Sequence, residues 1–172
     1  MRIKMTSKLV YIALLIPWIT SLQAQYAEFE KVDLQGVGFF PNRAQIITAF
    51  GEPIREYDPE YECGFLAPVS NDQQFTTLEY QGLKFTGDSD EDFVIEQIDF
   101  EKDPSLILRY GEYDLSHNTT REELIKIFGI RMGKYTKPDS DSYLIPGEES
   151  DDGFLVFIKG EKLVRFEYWT PC

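Results

Sequence analysis

The sequence predicts an α+β fold of two tandem repeats, each a short capped helix packed on an antiparallel β-sheet. Three observations carry that prediction. The stretch Asn42-Arg43-Ala44-Gln45-Ile46-Ile47-Thr48-Ala49-Phe50-Gly51 recurs in outline 78 positions later as Thr120-Arg121-Glu122-Glu123-Leu124-Ile125-Lys126-Ile127-Phe128-Gly129, and self-similarity at a fixed period marks a repeated structural unit. Gly82 and Gly160 keep the same offset. Both helical stretches open on a capping pair and close on glycine, and the segments after them are rich in alternating β-branched and aromatic residues.

The chain opens with Arg2, Lys4 and Lys8 ahead of an apolar run from Leu9, followed by Ser21-Leu22-Gln23-Ala24-Gln25. That is the layout of a secretory signal peptide, with cleavage expected after Ala24. The apolar run is about 12 residues long and contains Pro17, short of the roughly 20 that span a bilayer. The expected product is an exported protein, periplasmic or extracellular, with no stable membrane anchor.

Arg2, Lys4 and Lys8 are the only charged residues before Gln25, so the remaining chain carries 14 basic and 30 acidic side chains, a net charge of −16. A field of that sign repels nucleic-acid phosphates and anionic lipid, and it speeds encounter with a basic protein. Cys63 and Cys172 are the only cysteines. Export to an oxidising compartment makes one disulfide between them the expectation. It would close a loop of about 110 residues, worth about 4 to 5 kcal/mol in the chain-entropy picture.

Taken in order, the first unit is expected over residues 25–102 and the second over 103–172, the two forming one compact body. Gln25 to Asp33 is polar and reads as an irregular lead-in, and Gly36 and Gly38 suit a turn before the first helix. Asn42 caps that helix with Gln45 as its reciprocal partner, Ile46, Ile47 and Phe50 share a face, and Gly51 and Pro53 end it. Strands are expected at Tyr61 to Leu66, Phe75 to Tyr80, Leu83 to Phe85 and Phe93 to Phe100. Gly82 fits either a hairpin turn or a bulge. Asp103 to Asp114 reads as the connection between units. Thr120 and Glu123 then cap a second helix whose buried stripe is expected to be Leu124, Ile125, Ile127 and Phe128. Ser142 to Ile145, Phe154 to Ile158 and Lys162 to Trp169 complete the strands.

A short helix ending in Phe50-Gly51-Glu52-Pro53, followed by a sheet containing Tyr80-Gln81-Gly82-Leu83-Lys84-Phe85, resembles the β-lactamase-inhibitor-protein-like fold, a tandem repeat of about this length. The same unit, single, occurs in the small lipoprotein of the outer-membrane barrel-assembly machinery. The inhibitor proteins carry a disulfide in each repeat, whereas this chain can form only one, across repeats. The resemblance implies the α+β repeat architecture and a protein-binding role, and no contact residue transfers with it.

Catalytic chemistry has little to work with. The single histidine, His117, sits in Leu115-Ser116-His117-Asn118-Thr119, a setting that suits a turn residue better than a triad base. Carboxylates are too abundant for spacing to single out an acid–base pair, and no Cys or His pair has zinc spacing. Asp88-Ser89-Asp90-Glu91-Asp92 resembles the start of a calcium loop, but Phe93 stands where the sharp turn needs Gly. No catalytic residue, metal or cofactor is expected. Asp88, Asp90 and Asp92, with the acidic stretches at 139–141 and 148–152, read instead as a rim that suits a basic partner. Aromatic residues make up 15% of the chain. Tyr57, Tyr61, Tyr143 and Trp169 are the ones expected to be partly exposed as binding anchors. The function expected is therefore a non-enzymatic binding module, an inhibitor or immunity protein against a basic enzyme or toxin, with an envelope assembly adaptor as the alternative and a hydrolase of envelope substrates as the third.

Overall fold

A computed structural model describes residues 26–61, 74–88, 93–129, 133–134, 141–148 and 150–171. The proposed signal segment, Cys63, Cys172, Asp90 and Asp92 lie outside the described residues, as does nearly all of the strand expected at Tyr61 to Leu66. In chain order the elements are β1 (Val32–Leu34), β2 (Val37–Gly38), α1 (Arg43–Phe50), β3 (Arg55–Tyr57), β4 (Phe75–Tyr80), β5 (Leu83–Asp88), β6 (Phe93–Asp99), β7 (Leu108–Tyr110), β8 (Tyr113–Leu115), α2 (Arg121–Phe128), β9 (Gly133–Lys134), β10 (Ser142–Pro146), β11 (Gly153–Lys159) and β12 (Lys162–Trp169). The fold is α+β, and every strand pair within its two sheets is antiparallel.

Each half runs hairpin, helix and four strands in that order. The larger sheet is ordered β3-β4-β5-β6-β12-β11-β10-β9, so it meets the equivalent strands in the same sequence from either edge. The smaller sheet, β2-β1-β7-β8, joins the two hairpins by the same rule. The halves meet in the larger sheet through Arg165 opposite Asp99, Phe166 opposite Ile98, and Glu167 opposite Gln97.

Capping explains where the helices begin. Asn42 accepts from the Gln45 amide at 2.9 Å while the Gln45 side chain accepts from the Asn42 amide at 2.9 Å. Thr120 and Glu123 form the same reciprocal pair ahead of α2, so two otherwise orphaned donors are satisfied at each start. Gly51 and Gly129 end the helices at φ +78° and +69°. The residues just before each helix also pair with the larger sheet in equivalent ways: Phe93 donates to Pro41 O at 2.9 Å and Leu163 to Thr119 O at 2.9 Å.

Both helices and the smaller sheet lie on one face of the larger sheet. Phe50 of α1 packs against Tyr80 and Phe85 at ring separations of 5.8 and 5.5 Å. Phe128 of α2 meets Tyr110 of β7 at 4.8 Å, and Tyr110 meets Phe154 of β11 at 6.1 Å. One cross-strand row on this face reads Tyr80, Leu83, Ile98, Phe166, Val156 and Tyr143. The middle four are buried, and full burial of a large aliphatic or aromatic side chain contributes about 1.5 to 3 kcal/mol.

Several expectations are corrected. The polar lead-in holds a 3₁₀ turn at Phe29–Lys31 and the start of β1. Residues 103–114, read as a connection, contain β7 and part of β8. Short strands carry too few alternations to stand out, and pairing with β1 is what fixes them. Ile125 is exposed rather than part of the α2 stripe, because Leu124, Ile127 and Phe128 already fill the buried face. Gly82 lies in the two-residue β4–β5 turn, which settles the hairpin reading, but Gly160 turns β11 into β12. Their shared offset does not reflect equivalent places in the two halves.

Candidate functional site

The face of the larger sheet turned away from the helices carries a row that crosses seven strands: Arg55, Glu79, Lys84, Gln97, Glu167, Leu155 and Leu144. Its first five members are charged or polar and its last two are leucines. The row therefore changes character at the β12–β11 boundary. The neighbouring rows mix the two characters, with Tyr57, Thr77, Thr86 and Val94 on one side, and Asp99, Arg165, Phe157 and Ser142 running from β6 to β10 on the other.

The polar half is tied together by side-chain hydrogen bonds. Thr77 and Thr86, both buried, share one at 2.6 Å. Thr86 also donates to one carboxylate oxygen of Glu96, and Tyr61 donates to the other at 2.5 Å. Tyr61 thereby leans from the chain after β3 across to β6. Burial, reinforced by the Glu96 hydrogen bond, raises the Tyr61 phenol well above its ordinary pKa. Burial pulls Lys84 down, but its hydrogen bond to Tyr57 and the Glu96 charge outweigh that, and its pKa is raised. Arg55 lies over the Tyr57 ring at 4.3 Å.

On the other half Arg165 stacks over the Phe157 ring at 3.8 Å, and its Nε approaches Glu167 Oε1 at 2.7 Å. The approach is an ion pair rather than an aligned hydrogen bond, since Arg165 Nε makes none. The Glu167 side chain is 25% exposed. Burial raises its pKa, Arg165 opposes the shift, and the Glu96 charge adds to it. The described part of the face holds the carboxylates Glu79, Asp88, Glu96, Asp99 and Glu167 and the cations Arg55, Lys84, Arg165 and, at the end of β11, Lys159.

No protein-family model, curated protein or solved structure matches the chain.

Of the residues singled out in the sequence, Tyr57 and Tyr61 stand on the polar half of this face, and strand parity places Trp169 on the same face, opposite Gly153. Asp88 ends β5 opposite Phe75. The register sets Asp88 and the described part of the acidic β10–β11 turn at one end of the sheet and Asp141 at the other, and the rest of the acidic stretches at 89–92 and 139–140 lies outside the described residues. Tyr143 is a correction: it pairs with Val156 on the helix-covered face, is only 8% exposed, and has Arg121 of α2 over its ring at 5.1 Å. Lys84, Glu96, Phe157, Arg165 and Glu167 were not singled out. The signal that could have found them is the placement of Arg165 and Glu167 two apart within an aromatic strand.

Two grooves outside this face are counterparts in the two halves, each between the second hairpin strand and the helix. One, of about 540 Å³, is lined by Val37, Gln45, Thr48 and Ala49, and the other, of about 410 Å³, by Tyr113, Glu123, Lys126 and Ile127. His117 stands in the turn before α2 with Nδ1 buried and without a hydrogen-bond partner. No group of three or more metal-ligating side chains is gathered among the described residues, and no described helix is long and apolar enough to cross a membrane.

Proposed function

We propose that the protein is an exported binding module that docks a partner protein on the face of the larger sheet opposite its helices. The observation that carries this reading is the partly exposed set of aromatic side chains on that face, with Tyr57 and Tyr61 on one half and Phe157 and Trp169 on the other. Aromatic side chains on a rigid sheet lose few rotors when bound and offer large contact area. The charge of −16 after residue 24 favours a basic partner and disfavours nucleic acid. An inhibitor or immunity protein against a basic enzyme or toxin is the sharper form of this reading, in keeping with the resemblance to the β-lactamase-inhibitor-protein-like fold.

The test is capture of partners from envelope and secreted extracts at low and moderate salt, with two variants alongside the native protein. Phe157→Ala removes a proposed anchor, while Ile125→Ala removes an exposed side chain of α2 on the opposite side. A basic protein retained by Ile125→Ala, lost with Phe157→Ala and released as salt rises supports the reading. Equal loss in both variants, or loss only with Ile125→Ala, overturns the docking face.

A further inference from the structure

Resting on that docking reading, we infer that the partner's anchor on this face is an uncharged aromatic side chain that stacks on the outward plane of Arg165, continuing the pile that Phe157 begins beneath it. The juxtaposition that carries this is the Arg165 guanidinium lying 3.8 Å over the Phe157 ring while Glu167 holds its flank at 2.7 Å. A guanidinium is planar and weakly hydrated, and all its donors lie in its plane, so each of its two faces can take a ring while the edge keeps its polar partners. Phe157 takes one face. The Arg165 side chain is 36% exposed although its Nε is buried, so the exposure belongs to the rest of the side chain, and with Phe157 on the inner side the open surface is the outer one.

Floor and flank set Arg165 apart as an anchor. Phe157 and Glu167 hold the side chain in one arrangement before a partner arrives, so docking freezes few further rotors. Arg55 over Tyr57 at 4.3 Å repeats the stack, but on the edge strand β3 rather than where the two halves of the sheet meet. Charge decides against the other occupants. Arg165 and Lys84 act on Glu167 in opposition to Glu96 and Asp99, Lys102 stands 3.9 Å from Asp99, and Lys159 pairs with Glu101 at 2.7 Å. The described cations Lys84, Lys102, Lys159 and Arg165 thus match the carboxylates Glu96, Asp99, Glu101 and Glu167. A partner carboxylate would find the guanidinium already answered by Glu167, and a partner cation would be set against the guanidinium itself. A neutral ring gains the cation–π attraction and asks neither Arg165 nor Glu167 to change partners.

The test is a titration of isotope-labelled protein, recovered after expression of the full chain, with three blocked pentapeptides, Gly-Ser-Trp-Ser-Gly, Gly-Ser-Leu-Ser-Gly and Gly-Ser-Asp-Ser-Gly. The signals read are Arg165 Nε–H and the amides of Phe157 and Arg165. The tryptophan peptide is expected to move them saturably at millimolar concentration and to shift Arg165 Nε–H upfield, as a ring stacked over the guanidinium does. The leucine and aspartate peptides should each bind at least about threefold more weakly. Arg165→Lys, which keeps the charge and loses the plane, should bring the tryptophan peptide down to the level of the leucine peptide. Equal binding of the tryptophan and aspartate peptides or of the tryptophan and leucine peptides, a full response in Arg165→Lys, or no response at millimolar peptide overturns the inference. The peptide comparison on the native protein decides by itself should Arg165→Lys fail to fold. The two readings fail separately. Partner capture that depends on Phe157, with no preference for the tryptophan peptide, leaves the docking face standing and removes the anchor, whereas capture independent of Phe157 removes both.

Discussion

Tyr61 donates its phenol proton to Glu96 across 35 residues of sequence at 2.5 Å, which fastens the chain after β3 to the centre of the larger sheet. The bond has one charged member, and its carboxylate is also held by Thr86. Hydrogen bonds to charged groups contribute about 1.5 to 3 kcal/mol when buried, and the 38% exposure of Tyr61 reduces that. Tyr61→Phe is expected to lose about 1 kcal/mol in urea denaturation and to speed amide exchange at Tyr61 and neighbouring described residues. An unchanged exchange rate there would mean that the bond fastens nothing.

Gly82 and Gly160 share a sequence offset but not a structural role, and their substitution separates the two. A Cβ on Gly82, at φ +69°, would stand 2.8 Å from Asp99 O and 2.9 Å from Asp103 Cβ, against a turn that Asp99 N closes on Gly82 O at 2.7 Å. Gly160 is also left-handed, at φ +56°, but nothing lies within 4 Å of the added atom. Gly160→Ala should cost about 1 kcal/mol, the price of a left-handed alanine. Gly82→Ala should cost about 2 to 3 kcal/mol through backbone crowding as well. Matching denaturation midpoints for the two variants would refute the assignment.

The capping boxes were legible in the sequence because capping is local: Asn42 with Gln45 and Thr120 with Glu123 lie three residues apart, and the contact needs no tertiary partner. The long alternating strands β4, β6 and β12 were legible for a similar reason. What was hidden depends on pairing. The three-residue strands β7 and β8 are strands because β1 lies beside β7, and Tyr143 is buried because register turns it toward α2. The row through Gln97 and Glu167 joins halves of the chain 70 residues apart, a relation that neither local propensity nor a repeat offset encodes.

Removing each cap tests the repeat itself. Asn42→Ala and Thr120→Ala should each lose about 1 kcal/mol. The caps occupy separate halves and share no partner, so the double variant is expected to lose the sum within about 0.5 kcal/mol. Thermal or urea unfolding of the three variants gives the answer, and a double variant no worse than one single would show that the helices do not contribute independently.

Glu167 should make the protein less stable as pH rises through the mildly acidic range. Burial raises its folded-state pKa above the ordinary 4.5, with Glu96 adding and Arg165 opposing, so between these values the folded protein binds more proton than the unfolded chain. The slope of unfolding free energy against pH is then negative. The contribution is complete below about pH 4.5 and is lost as pH passes the folded value. Glu167→Gln, which cannot ionise, should remove that segment of the pH profile. It should leave stability at neutral pH within about 1 kcal/mol of the native protein, since the lost attraction to Arg165 is offset by removal of a carboxylate whose burial opposes its charge. Arg165 tolerates the change because its own side chain is 36% exposed and remains stacked on Phe157. Urea midpoints across pH 4 to 8 for both proteins decide the matter. A native profile that keeps its slope in Glu167→Gln would place the responsible group elsewhere, and a loss of several kcal/mol at pH 7 would mean that the Arg165 pair is a structural requirement.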